Sequence, residues 1–421
     1  MPAGARHTPT NAEEAGRVQV LFFCDQTAER HLPSHFWKLY GHVLREYGID
    51  GRVCAFSHAP DAPAARRLAE ETGVRLFRKP SGGIVARLWH NFRLPVLAYR
   101  AARPFSKDGA QVYVPHNDAV LALSLWVFAR LTGRRVVLFS THLQAETYAI
   151  GKGPLHRSVA AVAKALRGWI MRRVDRVVAM SDEMARILTR EAGVPAGRIT
   201  VMNSVVDMSR ALPRAECDPI VEGLRGRMAA KPVDHWMVYA GSINEARGTD
   251  FLAATLAAAR RRSPRTGLLV LGVAHSPRAK QRLLDRIAAD GGEEAFLWAD
   301  AVPERCLSQC LAVADVGLSP FDPNSIFRVN SPLKNLDYIL GGIRVVASPT
   351  PENIHVVEGT GFGRIADYTP EAFAEAAVAL GDEGPVTSAA RERAQRWVAA
   401  NRSFESASPI WRRILVPAEA G

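Results

Sequence analysis

Short apolar runs that recur along the chain, each followed by a stretch of helical spacing, constrain this sequence more than any other feature. VQVLFFCD (18–25), GRVCAF (51–56), VRLF (74–77), QVYVP (111–115), RVVLFSTH (135–142), DRVVAMS (175–181) and RITVMNS (198–204) read as strands. Between them lie helical stretches at Pro33 to Tyr47, Ala64 to Thr72, Gly83 to Ala102, Ala119 to Leu131, Pro154 to Arg173 and Asp182 to Ala192. Strands that are apolar throughout, without alternation, are buried on both faces; their regular exchange with helices closes into a parallel, doubly wound sheet. Ligands of such sheets sit at the carboxyl ends of the strands.

A second series of the same kind starts at Trp236 and runs through strands at Gly267, Ala295, Asp315 and Ile343. The expected fold class is α/β, with two Rossmann-like doubly wound domains facing each other across a cleft. The expected division is a tail over 1–17, an N-terminal Rossmann-like domain over 18–206, a polar linker over 207–232, a C-terminal Rossmann-like domain over 233–385 and a C-terminal helical segment over 386–421 that packs back on the first domain. At 421 residues the chain exceeds what one core organises, and 48% hydrophobic with 23% charged residues is a globular composition.

Bulk properties exclude several classes. The longest apolar run, AVLALSLWVFA (119–129), is too short to span a bilayer, and the first residues lack the apolar core of a signal peptide. Five cysteines in no paired spacing argue against a disulfide framework, and Cys306 and Cys310, four apart, have no companion ligands for zinc. A reducing cytoplasm is the expected location. The net charge of +12 is one-sided: residues 1–207 hold 29 Lys and Arg against 17 Asp and Glu, whereas residues 208–421 hold 25 of each. Such a field draws anionic partners.

NSPLKNLDYILGGIRVVAS (330–348) is the most informative local stretch. Ser331 reads as an N-cap, Pro332 as the first helical residue, and Leu333, Leu336, Ile339 and Leu340 as an apolar stripe that stops at Gly341 and Gly342. A helix start exposes backbone N–H groups to an anion, here with Lys334 beside it and Asp337 one turn on. Other phosphate-binding devices are missing from the sequence: there is no G-x-G-x-x-G, no Walker lysine motif and no D-x-D.

That stretch resembles the nucleotide-sugar site of GT-B glycosyltransferases, especially the large retaining family 4 group, in its P-x-K-x-x-(D/E)-Y-x-x-x-G followed by a Val-rich strand. The resemblance implies that Asp337 holds the ribose hydroxyls. AGSINEARGTDFL (240–252) resembles the family's diphosphate clamp: Gly241 matches, Arg247 replaces its lysine, and Ser242 stands where its arginine is usual. Arg328, Asn330, Ser331, Leu333 and Lys334 complete the donor-binding candidates. Val329 occupies the first position of the family's E-x7-E, and Ser204 stands where glycine is usual in its "I-x-V-I-x-N-G-V-D" segment. His142 matches the histidine of its "T-x-H" segment, which contacts the donor sugar, and is the catalytic candidate. Likeness extends from about Val18 to Trp411, with strong motifs from Asn203 onward.

Asp25, His116 and Asn117 end neighbouring strands and are the acceptor-side candidates. Two basic segments, Ser81 to Lys107 with Arg87, Arg93, Arg100, Arg103 and Lys107, and the helix leading to Asp175, interleave cations with apolar side chains as interfacial helices do. In the latter, Val159, Val162, Leu166, Ile170 and Val174 read as a core stripe. The expected function is transfer of a sugar from a nucleoside diphosphate sugar to an acceptor hydroxyl in glycoconjugate biosynthesis. The expected enzyme is a metal-independent hexosyltransferase that retains configuration and needs no cofactor, and its acceptor is a glycan, a lipid-linked or a small molecule. An anionic membrane surface is a further expected partner and nucleic acid is not. A nucleotide-sugar epimerase and a non-catalytic binding descendant are the alternatives.

Overall fold

The structure is a computed structural model and describes residues 18–27, 34–80, 84–103, 111–143, 153–243, 249–274 and 276–416. Elements follow in the order β1 (Gln19–Thr27), α1 (Ser34–Glu46), β2 (Asp50–Ser57), α2 (Pro63–Thr72), β3 (Arg75–Arg78), α3 (Ile84–Ala102), β4 (Gln111–His116), α4 (Ala119–Thr132), β5 (Arg135–Ser140), α5 (Pro154–Met171), β6 (Arg176–Ala179), α6 (Asp182–Ala192) and β7 (Ile199–Val201). After α7 (Asp218–Ala229) come β8 (His235–Ala240), α8 (Thr249–Arg262), β9 (Thr266–Leu271), α9 (Pro277–Ala289), β10 (Phe296–Ala299), α10 (Leu307–Leu311), β11 (Val316–Ser319), α11 (Leu333–Gly341), β12 (Arg344–Ala347), α12 (Pro351–Thr360) and β13 (Gly363–Ile365). Helices α13 (Pro370–Asp382), α14 (Ser388–Arg402) and α15 (Phe404–Leu415) end the described chain.

One sheet has the order β3-β2-β1-β4-β5-β6-β7 and the other β10-β9-β8-β11-β12-β13. Every pairing resolved in register is parallel, as for β1 with β2 and β4 and for β8 with β9 and β11. In each sheet the strand order reverses beside the first strand, between β1 and β4 and between β8 and β11. Those are the topological switch points, where a doubly wound sheet opens a crevice. The α/β class expected from the alternating pattern is the one observed.

The chain forms two compact units. The first comprises Met1–Phe139, Arg173–Val177 and Trp411–Gly421, and the second Ser140–Arg172 and Val178–Ile410. In the first, Trp411 is fully buried, with its ring edge-on to Phe22, Tyr40 and Phe139 at centroid distances of 5.7, 5.6 and 5.6 Å. Phe22 and Tyr40 stack at 3.8 Å in the same cluster. In the second unit, one core cluster contains Val238, Leu269, Leu336, Ile339, Val345 and Val398, and another contains Met237, Leu252, Leu268, Val270, Leu318 and Phe373. Alternate residues of β8 and β9 enter the two clusters, as expected for strands covered by helices on both faces.

Residues 207–232 carry two short 3₁₀ turns and α7, whose Val221, Leu224 and Met228 belong to the core. Cys217 and Cys306 form a disulfide, with Cα atoms 5.4 Å apart and 89 residues between them in sequence, so the expectation of unpaired thiols is corrected for this pair. The pairing has no spacing signature, because folding alone brings the turn before α7 against the turn before α10. The stripe expected on α5 is corrected as well: Ile170 and Val174 are buried, but Val159 and Val162 are exposed and Arg167 is buried instead.

Trp411→Ala should lower the unfolding free energy by about 3–5 kcal/mol, the usual cost of emptying a large aromatic site. Urea denaturation followed by far-UV circular dichroism measures it. A loss below about 1 kcal/mol would mean that the aromatic cluster does not support the first unit.

Candidate functional site

The second unit gathers most of the expected donor residues at the β8/β11 switch point. Strands β8 and β11 pair only at Met237 with Val316 and Val238 with Gly317. Where their ladder ends, Tyr338 of α11 takes over: its hydroxyl accepts from the Ala240 N–H and donates to the Leu318 carbonyl, both at 2.9 Å. Gly317 makes room, since a Cβ there would lie 2.4 Å from the Tyr338 ring. Burial raises the Tyr338 phenol well above its ordinary value, so the hydroxyl keeps the proton it donates.

This wedge fixes the start of α11 against the turn after β8. Gly241 has φ +142°, which a side chain would strain, and its missing Cβ would stand 3.5 Å from Lys334 Nζ. The Lys334 ammonium lies 3.7 Å from the centroid of the Tyr239 ring and 5.3 Å from that of Phe321, so a cation is held over aromatic faces beside a bare backbone turn. The Tyr239 hydroxyl donates to the Ser242 carbonyl at 3.4 Å. Leu333 and Lys334 open α11, and no side chain caps the helix. Ser331 is therefore not the N-cap expected from sequence. Pro332 holds that position, which turns the Ser331 hydroxyl away to accept from the Ser204 N–H and donate to Glu352 Oε2, both at 3.0 Å.

Two buried ion pairs flank the helix start. Asp337 Oδ1 accepts from Arg210 Nη2 at 2.7 Å, and Arg210 Nη1 is 3.5 Å from Glu304. Glu352 Oε2 accepts from Arg402 Nη2 at 3.2 Å, while Arg402 Nη1 reaches Asn203 at 3.1 Å. Burial pushes the Asp337 carboxyl up against the opposing pull of Arg210. Burial likewise raises Glu352 against the pull of Arg402. Beneath them Asn335 Nδ2 donates to Asn353 at 2.8 Å, and Asn353 Nδ2 donates to the Ser348 carbonyl at 2.9 Å. Arg210, Glu352, Asn353 and Arg402 were not foreseen. Arg210 lies 127 residues from its partner, and nothing local marks it.

Of the other candidates, Arg328 pairs with Glu183 at 3.3 Å, and the Asn330 N–H donates to the Phe327 carbonyl at 3.0 Å in the turn leading to α11. Arg247 lies outside the described residues. His142 follows β5 by two residues, is partly exposed, and has Nδ1 3.3 Å from the Thr141 hydroxyl. The first unit carries the acceptor-side candidates at its own β1/β4 switch point: Asp25 lies in β1, with a side chain outside the described set, and His116 ends β4. The His116 ring is buried and stacks on Phe139 at 4.8 Å, and Asn117 turns the chain with φ +64° before Asp118 caps α4 at the Leu121 N–H.

The fold is that of the GT-B glycosyltransferases. Residues 34–210 match the profile of Glycosyltransferase Family 4, in the half of the chain where the sequence motifs were weakest. No curated protein sequence matches the chain. Among solved structures it is similar to HepE from Anabaena in complex with UDP and glucose, with TM-score 0.69, 14% identity and coverage of 94% of this chain and 99% of that one. It is similar also to the sucrose-phosphate synthase of Thermosynechococcus elongatus, with TM-score 0.71, 14% identity and coverage of 94% and 98%. A third is WaaG, a glycosyltransferase of lipopolysaccharide biosynthesis, with TM-score 0.65, 16% identity and coverage of 95% and 100%.

The raised carboxyls fix a pH dependence. A carboxyl whose folded pKa is raised contributes stability that is fully present below its unfolded value, about 4, and lost as pH rises through the folded one. Arg210→Met removes the opposing cation from Asp337, so it should raise that carboxyl further and destabilise the protein by about 3–5 kcal/mol at neutral pH. Stability measured in urea between about pH 4 and 7 should then fall more steeply than in the wild type, and adding Asp337→Asn should flatten the profile. Equal slopes in the wild type and Arg210→Met would show that the pair carries no such linkage.

Proposed function

We propose that the chain is a glycosyltransferase that moves a sugar from a nucleoside diphosphate sugar to an acceptor hydroxyl. The observation that carries this reading is the placement of Lys334 and an uncapped helix start beside the bare Gly241 turn at a switch point of the second sheet. Backbone N–H groups, a helix dipole and an ammonium together suit a diphosphate. Complexes of HepE with UDP and with UDP-glucose support the same ligand class for this fold.

In this reading the second unit binds the donor. Lys334, with Arg247 and the Gly241–Ser242 turn, neutralises the diphosphate, and the charge that builds on it as the glycosidic bond breaks is stabilised in place. Asp337 holds the ribose through Oδ2 while Arg210 retains Oδ1. His142 donates a hydrogen bond to the sugar, and Asp25, His116 and Asn117 line the acceptor side. The reaction retains configuration and requires neither metal nor cofactor, because cations and helix ends do the work that a metal does on a D-x-D. The acceptor is a glycan, a lipid-linked molecule or a small molecule of glycoconjugate biosynthesis.

A thermal-shift screen of nucleoside diphosphate sugars identifies the donor, and calorimetric titration then tests the site. Lys334→Ala should weaken donor binding by about 1.5–3 kcal/mol, the range for a hydrogen bond to a charged group. His142→Ala should lower kcat while leaving donor affinity nearly intact. Unchanged affinity in Lys334→Ala would place the diphosphate elsewhere. Formation of an epimerised sugar nucleotide without acceptor would favour an epimerase.

A further inference from the structure

Helix α3 presents two faces of opposite character. Leu94, Leu97, Ala98 and Ala101 are buried, which accounts for one side. On the other, Trp89, Phe92, Val96 and Tyr99 are 55%, 77%, 53% and 44% exposed, and their spacing of three, four and three puts them within about 80° of one another around the helix. A helix packed only on its own unit has no reason to place four large apolar side chains in water. The ridge continues onto α4, where Tyr99 meets Phe128 edge-on at 5.2 Å and Leu131 is 79% exposed.

Cations share this face. Arg100 and Arg103 are exposed and Arg93 is half-buried; Arg103 falls inside the apolar sector, and Arg100 and Arg93 lie within about 40° of its edge. Neither α3 nor α4 contains an acidic residue, and the whole positive excess of the chain lies in its first 207 residues. Aromatic and aliphatic side chains projecting between arginines match the boundary of an anionic bilayer, where the apolar groups enter the acyl region and the guanidinium groups pair with phosphates. A protein partner would have to supply an acidic rim around an apolar groove; a bilayer of acidic lipids supplies both everywhere. No described helix is long and apolar enough to cross a membrane, so the contact would be one of surface insertion.

We propose that the α3–α4 ridge docks the protein on anionic lipid surfaces, with Trp89, Phe92 and Leu131 inserted and Arg93, Arg100 and Arg103 bound to headgroups. This holds whether or not the chain transfers a sugar. Flotation of the full chain with phosphatidylglycerol–phosphatidylcholine vesicles, against vesicles of phosphatidylcholine alone, tests it. Wild type should bind the anionic vesicles selectively. Arg93→Gln, Arg100→Gln and Arg103→Gln should each weaken binding about fivefold. Phe92→Ser with Leu131→Ser should weaken it at least tenfold at physiological salt, with an unchanged melting temperature because both side chains are already in water. Vesicles with bromine-labelled acyl chains should quench tryptophan fluorescence in the wild type, and Trp89→Phe should remove most of that quenching.

Equal recovery with neutral and anionic vesicles would overturn the proposal. So would wild-type binding by the Phe92→Ser, Leu131→Ser protein, since that would leave surface charge alone. A concentration-dependent dimer abolished by the same two substitutions would instead assign the ridge to a second copy of the chain.

Discussion

The second unit depends on one phenol. At the switch point β8 and β11 part after two paired residues, and a parallel sheet that opens there leaves backbone groups without ladder partners. The Tyr338 hydroxyl meets one group on each side, and the absence of a side chain at Gly317 lets the ring lie flat enough to do so. The consequence is geometric. Strand ends are held apart, α11 is tied to both, and the first turn of that helix comes to rest beside Gly241.

Around this wedge the chain spends charge where it is costly. Arg210 with Asp337 and Arg402 with Glu352 are both buried near the helix start, and buried pairs return little net stability because desolvation offsets their attraction. What they give is registry. Arg402 joins the end of α14 to Asn203 and α12, and the Val206 N–H donates to the Arg402 carbonyl at 2.8 Å, so segments far apart in sequence meet at the turn that precedes α11. Asp337 thereby has a fixed orientation, with Oδ1 committed to Arg210.

The first unit is governed by different forces. Its interior is aromatic, centred on Trp411, Phe22, Tyr40 and Phe139, and its β1/β4 switch point ends in His116 and the left-handed Asn117. Its outer helices leave apolar and cationic groups together in solvent. Part of the charge asymmetry visible in composition thus acquires a location, on α3 and α4, that composition alone could not give.

Sequence alone determined the alternation of strands and helices, because periodicity and length are local properties. It also determined the helix that Lys334 opens, since its start, its apolar stripe and a stopping Gly342 are readable within twenty residues; that Tyr338 ties this helix to the strand before Gly241 was not readable there. Tertiary structure decided the rest. Ser331 is a good capping residue by type, yet Ser204 and Glu352 claim its hydroxyl. Asp337 is one turn into a helix by spacing, yet its partner Arg210 comes from 127 residues away. Val159 and Val162 fit an apolar stripe that the fold leaves in water, and Cys217 finds Cys306 across 89 residues. Each of these depends on which distant segment arrives at a given side chain, and hydrogen bonds, ion pairs and burial are settled by that arrival and not by the neighbours in sequence.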